Sequence, residues 1–352
     1  MNRCVKDMTK KSMIEADIKK YELEITANCN AECPLCARTI AHMPLRGNSE
    51  ISLEEIKKVF PSKSSIQGKH FALCGVLGDP IVHPNCFEIC EWFTSNGGSV
   101  SLSTNGGYNN EQWWIKLAKL KNLNCTFAVD GFEDTNHIYR VNVKWDILLR
   151  NMKAYTKAGG KGKWSYIPFA HNEDDYEKAK ELSKELGLNF IKRTSGRNAL
   201  TKRTHKSRKM KEEVKLRESK KLPHNNLDEL KKVITPLNQD HEAINKIVNT
   251  VTCQHYHDKD HSGSSAYIAA DLTLWPCCYL YDQSLKNYEQ VTKTTDKTFN
   301  SLVKQTVNEV LQQQFYKDLK ERWYSSHSDH LRRCIKTCAF KGAYKNKEEH
   351  IA

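Results

Sequence analysis

The chain has 352 residues, enough for two domains, and its 39% apolar content is low but adequate for packed cores. No stretch approaches the roughly 20 uninterrupted apolar residues of a membrane span, and the charged N-terminus Met1 to Lys20 lacks the apolar core of a signal peptide; both place the protein in the cytosol. Thirteen cysteines, an odd number in a long chain, argue against a secreted disulfide scaffold and, in a reducing compartment, for metal.

After an N-terminal extension of residues 1–20, strands are predicted over Tyr21 to Thr26, His70 to Cys74, Ser99 to Ser103, Cys125 to Asp130, Gly162 to Pro168 and Leu188 to Lys192. Between them, amphipathic helices fit Ser52 to Phe60, Asn85 to Ser95, Asn110 to Leu120, Trp145 to Ala158 and Asp174 to Leu186, with Ser52 ahead of Glu54-Glu55 as a cap and Gly159-Gly160 and Gly187 as stops. Six strands alternating with helices imply an α/β fold around a parallel sheet, wound open or curled into a barrel.

The pattern breaks after Lys192. From Lys192 to Lys221 there are thirteen Lys/Arg against three Glu, a net charge of +10, which leaves +3 for the rest of the chain. With few apolar residues to anchor it, this stretch reads as an exposed insertion that continues into a solvated helix near Lys211 to Lys221, and residues 225–250 as a short helical linker. A local charge of that size suits a polyanion, whether nucleic acid or acidic peptide, although charge runs are commonly only solvated surface. Beyond it a second unit holds Cys253, a hairpin of Ala266 to Ala270 and Leu272 to Trp275, the pair Cys277-Cys278, a helix from Phe299 to Glu321, and Cys334 with Cys338.

The chemistry concentrates at Cys29, Cys33 and Cys36, a C-x3-C-x2-C triplet directly after the first strand. A 4Fe-4S cubane used only for electron transfer takes four protein thiolates, so three leave one iron open to a substrate or cofactor. Together with His42 the same cysteines are also compatible with Cys3His zinc. The spacing of three then two differs from paired zinc knuckles, and the loop leaves the carboxyl end of a strand, where barrels of alternating strands and helices carry their chemistry. Cys4, Cys74, Cys86, Cys90, Cys125 and one of Cys277 and Cys278 read as buried small apolar side chains.

This triplet, with later features in the same order, resembles the signature of radical S-adenosylmethionine (SAM) enzymes. Gly78-Asp79-Pro80 after the second strand resembles the family's Gly-Glu-Pro loop, with Asp for Glu, which presents backbone groups to the SAM amino group. Ser103 and Asn105 match the ribose-contacting position, Asp130 begins the Asp-Gly stretch, and Arg140 is a candidate clamp on the SAM carboxylate, a suitable partner for a guanidinium. Leu35 stands where an aromatic residue beside the adenine is common.

The resemblance covers residues 20–192 and 253–340. It implies a partial (β/α)6 TIM barrel over residues 21–192, the insertion and linker over 193–250, and a small α+β SPASM- or twitch-like domain over 251–345 holding one auxiliary iron–sulfur cluster of the 4Fe-4S type. Cys253, Cys277 or Cys278, Cys334 and Cys338 are its candidate ligands, and a Cys4 zinc site is the alternative there. The implied activity is reductive cleavage of SAM at the first cluster to a 5′-deoxyadenosyl radical that abstracts hydrogen from a substrate carbon, with an electron donor such as flavodoxin or ferredoxin as partner. Peptide and nucleic-acid or nucleotide substrates are both expected candidates; the roughly 20 residues before Tyr21 are too few for a leader-binding domain, which weighs against a peptide. A zinc-dependent nucleic-acid-binding protein without catalysis is the alternative from a different class.

Overall fold

The computed structural model describes residues 13–36, 38–39, 50–193, 216–217, 219–221, 253, 264–281, 298–319, 334 and 349–350. Six parallel strands lie side by side in chain order: β1 (Ile18–Leu23), β2 (His70–Leu73), β3 (Ser99–Thr104), β4 (Leu123–Ala128), β5 (Lys161–Tyr166) and β6 (Asn189–Lys192). The connections carry α1 (Leu53–Val59), α2 (Lys63–Ile66), α3 (Cys86–Ser95), α4 (Glu111–Ala118), α5 (Asn136–Tyr139), α6 (Trp145–Lys157) and α7 (Tyr176–Glu185). Ser52 starts α1 as expected: its side chain accepts from Glu55 N while Glu55 reaches back to Ser52 N.

The two faces of the sheet differ. Tyr21, Phe71, Val100, Leu102, Phe127 and Trp164 point to a buried face, where Tyr21, Phe60, Phe71 and Phe93 pack ring on ring and Trp114 meets Phe127 and Tyr155. On the other face the register puts Ser103, Thr126 and Lys163 in one row, all half-buried or exposed. Parallel strands covered on both sides read as continuous apolar runs. Here the strands alternate, because one face is an apolar floor for helices and the other a polar, accessible wall.

The second unit joins this sheet instead of standing apart. Strand β7 (Ser264–Ile268) pairs in parallel with β1, from Lys20↔Ser265 to Leu23↔Ile268, and β8 (Leu274–Trp275) pairs antiparallel with β7 as a hairpin. A two-residue strand, β9 (Glu349–His350), closes the far edge against β6, giving the open order β8-β7-β1-β2-β3-β4-β5-β6-β9. The α/β, partial-barrel class is therefore borne out, with a wider sheet than six strands.

Three local expectations are corrected. The first strand begins at Ile18, inside the supposed extension, and Ile18, Tyr21 and Leu23 are all fully buried. The long helix over Phe299 to Glu321 is instead α8 (Val307–Leu311) and α9 (Gln314–Lys317). A capping box at Thr306 and Glu309 starts α8, so the preceding residues turn. The solvated helix near Lys211 to Lys221 is irregular where it is described: residues 216–217 and 219–221 are neither helix nor strand, and Leu216 is buried. The linker helix over 225–250 lies outside the described residues.

Candidate active site

The cysteine loop leaves β1 at the carboxyl end of the parallel sheet, flanked by the ends of β2, β3 and β4. Its course is fixed from several sides: Asn30 Nδ2 donates to Gly107 O at 3.2 Å, Glu32 N to Val141 O at 3.1 Å, and Cys36 N to Cys33 O at 3.0 Å. Cys33 is buried, and Cys29 and Cys36 are half-buried. Two of the three sulfurs receive N–H donors. Cys29 Sγ accepts from Ala31 N at 3.3 Å and Asn105 Nδ2 at 3.8 Å, and Cys33 Sγ from Arg140 Nη1 at 3.8 Å. Burial, followed by the charge of Asp79, pushes the Cys29 thiol up to about 12. A coordinating cation would offset that cost, since a metal deprotonates its thiol ligands outright.

The loop after β2 is braced against the cysteine loop. A Cβ on Gly78 would lie 1.8 Å from Thr26 O, so only glycine lets the two backbones approach this closely. Asp79 N donates to Asn28 O at 2.8 Å. The buried Asp79 carboxylate accepts from Asn105 N and Nδ2, both at 2.7 Å, and from Ile81 N at 3.2 Å, where Pro80 opens a 3-10 turn. Burial raises its pKa, and the bonds from Asn105, Thr104 and Ile81 oppose that rise. Asp79 thus ties the end of β3 to the loop after β2.

Asn105 is buried, its amide held by Asp79 and Asn30. Ser103, by contrast, is exposed on the polar wall. Asp130 is fully buried with both oxygens engaged, by Ile167 N at 2.6 Å and Arg140 Nε at 2.6 Å. It supports the guanidinium of Arg140. Burial alone would lower the Arg140 pKa, but Asp130 and Cys33 push it above the ordinary value, so the guanidinium stays charged beside the cysteine loop. Leu35 is packed in the core at 1% exposure.

Of the second cysteine group, Cys277 and Cys334 are buried and Cys253 and Cys278 half-buried, and Cys338 lies outside the described residues. Burial, then the neighbouring Cys278, Cys334 and Cys253, raises the Cys277 pKa, so segments far apart in sequence bring these thiols together. Among the described residues no three His, Cys, Asp or Glu side chains converge as the ligands of a single ion would. His42 lies outside the described residues. The end of the basic stretch returns to the rim beyond β5: Ala170 N donates to Arg217 O at 2.9 Å, and Glu173 accepts from Ser219 Oγ and the amides of Lys220 and Lys221.

A family model described as the radical SAM superfamily matches residues 23–186. Residues 23–186 form a radical SAM domain. Among curated proteins, an AdoMet-dependent heme synthase from Methanosarcina barkeri is 27% identical over 47% of the chain and 46% of its own length. The mycofactocin maturase MftC of Mycolicibacterium smegmatis is 25% identical over 50% and 45%. The aligned region thus spans a little under half of each of these relatives. Solved structures share the α/β fold. Streptococcus suis SuiB bound to precursor peptide SuiA superposes with a TM-score of 0.55 at 11% identity, over 92% of this chain and 71% of that one. Native anSMEcpe with bound AdoMet gives 0.52 at 14%, over 91% and 88%.

The cofactors of a radical SAM domain are a 4Fe-4S cluster and SAM. The chain's donor set suits the cluster: three thiols on one loop, two with N–H donors at sulfur, the form of hydrogen bonding that tunes iron–sulfur sites. The thiolates of a cubane bind different irons, so they need not share a point. The match of residues 23–186 to this superfamily gives the non-catalytic zinc reading no support. Sequence reasoning missed three residues near the domain. Glu24 and Tyr267 form a buried pair, and the alternation of β1 gave no sign of it, because Glu24 falls on the same side as the polar Lys20 and Glu22. Cys74, read as a small apolar residue, has Cys278 among its electrostatic neighbours. No helix among the described residues is long and apolar enough to cross a membrane.

Proposed function

We propose that Cys29, Cys33 and Cys36 hold the 4Fe-4S cluster of this radical SAM domain and that SAM binds over it between the Gly78-Asp79-Pro80 loop, Ser103 and Arg140. The observation carrying this reading is the meeting of that loop, the end of β3 and Arg140 around the triplet, with N–H donors at Cys29 and Cys33. When bound, the cluster and SAM supply one-electron reductive cleavage that produces a radical able to take hydrogen from carbon. The chain's own residues orient the pair: Asp79 fixes the loop through Asn105, and Asp130 aims Arg140. Cys253, Cys277 or Cys278, Cys334 and Cys338 are proposed to hold one auxiliary 4Fe-4S cluster, and a small flavoprotein or ferredoxin to deliver the electron.

For the substrate we infer an acidic peptide. Supporting this, the +10 segment both leaves and re-enters at the carboxyl rim of the barrel, at Arg193 and at Arg217, and long-range attraction by such a segment draws in an anionic chain. The test has two parts. Anaerobically reconstituted protein is expected to be brown, with an electron paramagnetic resonance signal of the reduced cluster that changes on adding SAM; a colourless zinc protein would overturn the assignment. Binding of an acidic peptide, DNA and RNA is then measured at low and moderate salt, with Lys202, Arg203, Lys206, Arg208 and Lys209 intact or neutralised. Salt-sensitive peptide binding lost on neutralisation is expected; preference for nucleic acid, or indifference to neutralisation, contradicts the peptide reading.

A further inference from the structure

Glu24 follows β1 and precedes the cysteine loop, and it is 1% exposed. An isolated buried carboxylate is costly, so its partners define its role. Oε1 accepts from Leu77 N at 2.5 Å and Gly78 N at 3.0 Å, both in the loop after β2. Oε2 accepts from Tyr267 Oη at 2.5 Å, and Tyr267 is equally buried in β7. Gly75 makes room for this arrangement, because a Cβ there would lie 2.5 Å from Glu24 Oε1. The ladder continues alongside, with Glu24 N donating to Ile268 O at 2.9 Å. Burial pushes the Glu24 carboxyl up, and the bonds from Tyr267, Leu77 and Gly78 pull it back.

From this carboxylate a continuous path runs to the cysteine loop. Leu77 and Gly78 lead to Asp79, Asp79 holds Asn105, and Asn105 donates to Cys29 Sγ. We propose that Glu24 is a positioning residue that makes the shape of the 75–80 loop depend on Tyr267 of the C-terminal strand, so that docking of β7 and SAM binding are coupled. Its second half rests on the assignment of that loop to SAM. The N-terminal domain is thereby expected to bind SAM poorly without the chain beyond residue 264, although every residue of the triplet and its neighbours lies before residue 194.

The test uses the full chain with Tyr267→Phe, which removes one hydroxyl and keeps the ring. Hydrogen exchange at the Leu77 and Gly78 amides should accelerate about tenfold, the size expected for losing one hydrogen bond to a charged group. The β7–β8 amides should be unaffected, and SAM should bind about tenfold more weakly at unchanged iron content. Glu24→Gln, which keeps an oxygen for the two amides, should give a smaller acceleration and keeps the test decisive if the tyrosine variant fails to fold. Unchanged exchange at Leu77 and Gly78, or loosening of β7 in place of the loop, would overturn the strut. Accelerated exchange in a protein whose wild type binds no SAM would overturn the loop's assignment to SAM and leave the strut standing.

Discussion

The two cysteine groups are built in opposite ways. The triplet lies on one eight-residue loop, and neighbouring strand ends hold that loop through backbone and amide bonds. The second group draws Cys253, Cys277, Cys278 and Cys334 from segments far apart in sequence, in the part of the chain whose strand β7 pairs with β1. A site carried by one loop is set by local sequence, whereas a site collected from distant segments is set by the fold, and the two should respond differently to mutation.

The largest effect should come from the support under the first group. Arg140→Met leaves the Asp130 carboxylate buried without its cation, and breaking such a pair costs about 3–5 kcal/mol. Urea unfolding should show that loss, together with a lowered reduction potential of the first cluster as an N–H donor to Cys33 disappears. A stability loss below about 1 kcal/mol would mean that the pair does not frame the loop.

Gly78→Ala probes the same frame through its backbone. Because its Cβ would sit against Thr26 O, a cost of about 1–3 kcal/mol is expected, with weaker SAM binding. Gly159→Ala, in open space at φ +91°, strains only its own turn and should leave SAM binding alone. Equal effects of the two on SAM binding would contradict the claim that the two loops are pressed together.

In the second group the adjacent pair should separate. Cys277→Ser is expected to remove about half the iron while the first cluster stays, since Cys277 is buried near Cys253 and Cys334; Cys278→Ser, half-exposed and near Cys74, should retain it. The reverse pattern of iron loss would assign the ligand to Cys278.

The smallest effect concerns pH. Burial, and secondarily His137, holds His171 at about 4 instead of 6.5, so the folded state keeps it neutral. The stability this contributes is complete above 6.5 and is lost as pH falls toward about 4. His171→Gln should flatten that part of the stability profile, and an unchanged profile would show that the ring is not desolvated as described.

The barrel half was legible because its strands alternate with helices of matching period and because glycines and capping residues mark the joints, as at Ser52 and Gly187. Strand ends were displaced by a few residues, since β1 to β6 continue or stop according to what lies on the buried face. The triplet was legible through spacing alone. The bonds that Asp130 and Asn105, assigned by motif to the ligand, make with Arg140, Asp79 and Asn30 were not legible, since they depend on which way each side chain turns. Glu24 with Tyr267, 243 positions apart, could not be read locally, nor could the burial of Leu216 within a charged stretch. Cys338 and most of the basic insertion lie outside the described residues.

The most direct test of the central claim is the formation of 5′-deoxyadenosine from SAM by the reduced, reconstituted chain and by its Cys29→Ala/Cys33→Ala/Cys36→Ala variant, with the later cysteines intact. Product from the native sequence and none from the variant is the expected result. Cleavage that persists in the variant, or is absent from both, would contradict the assignment of the triplet as the SAM cluster's ligands.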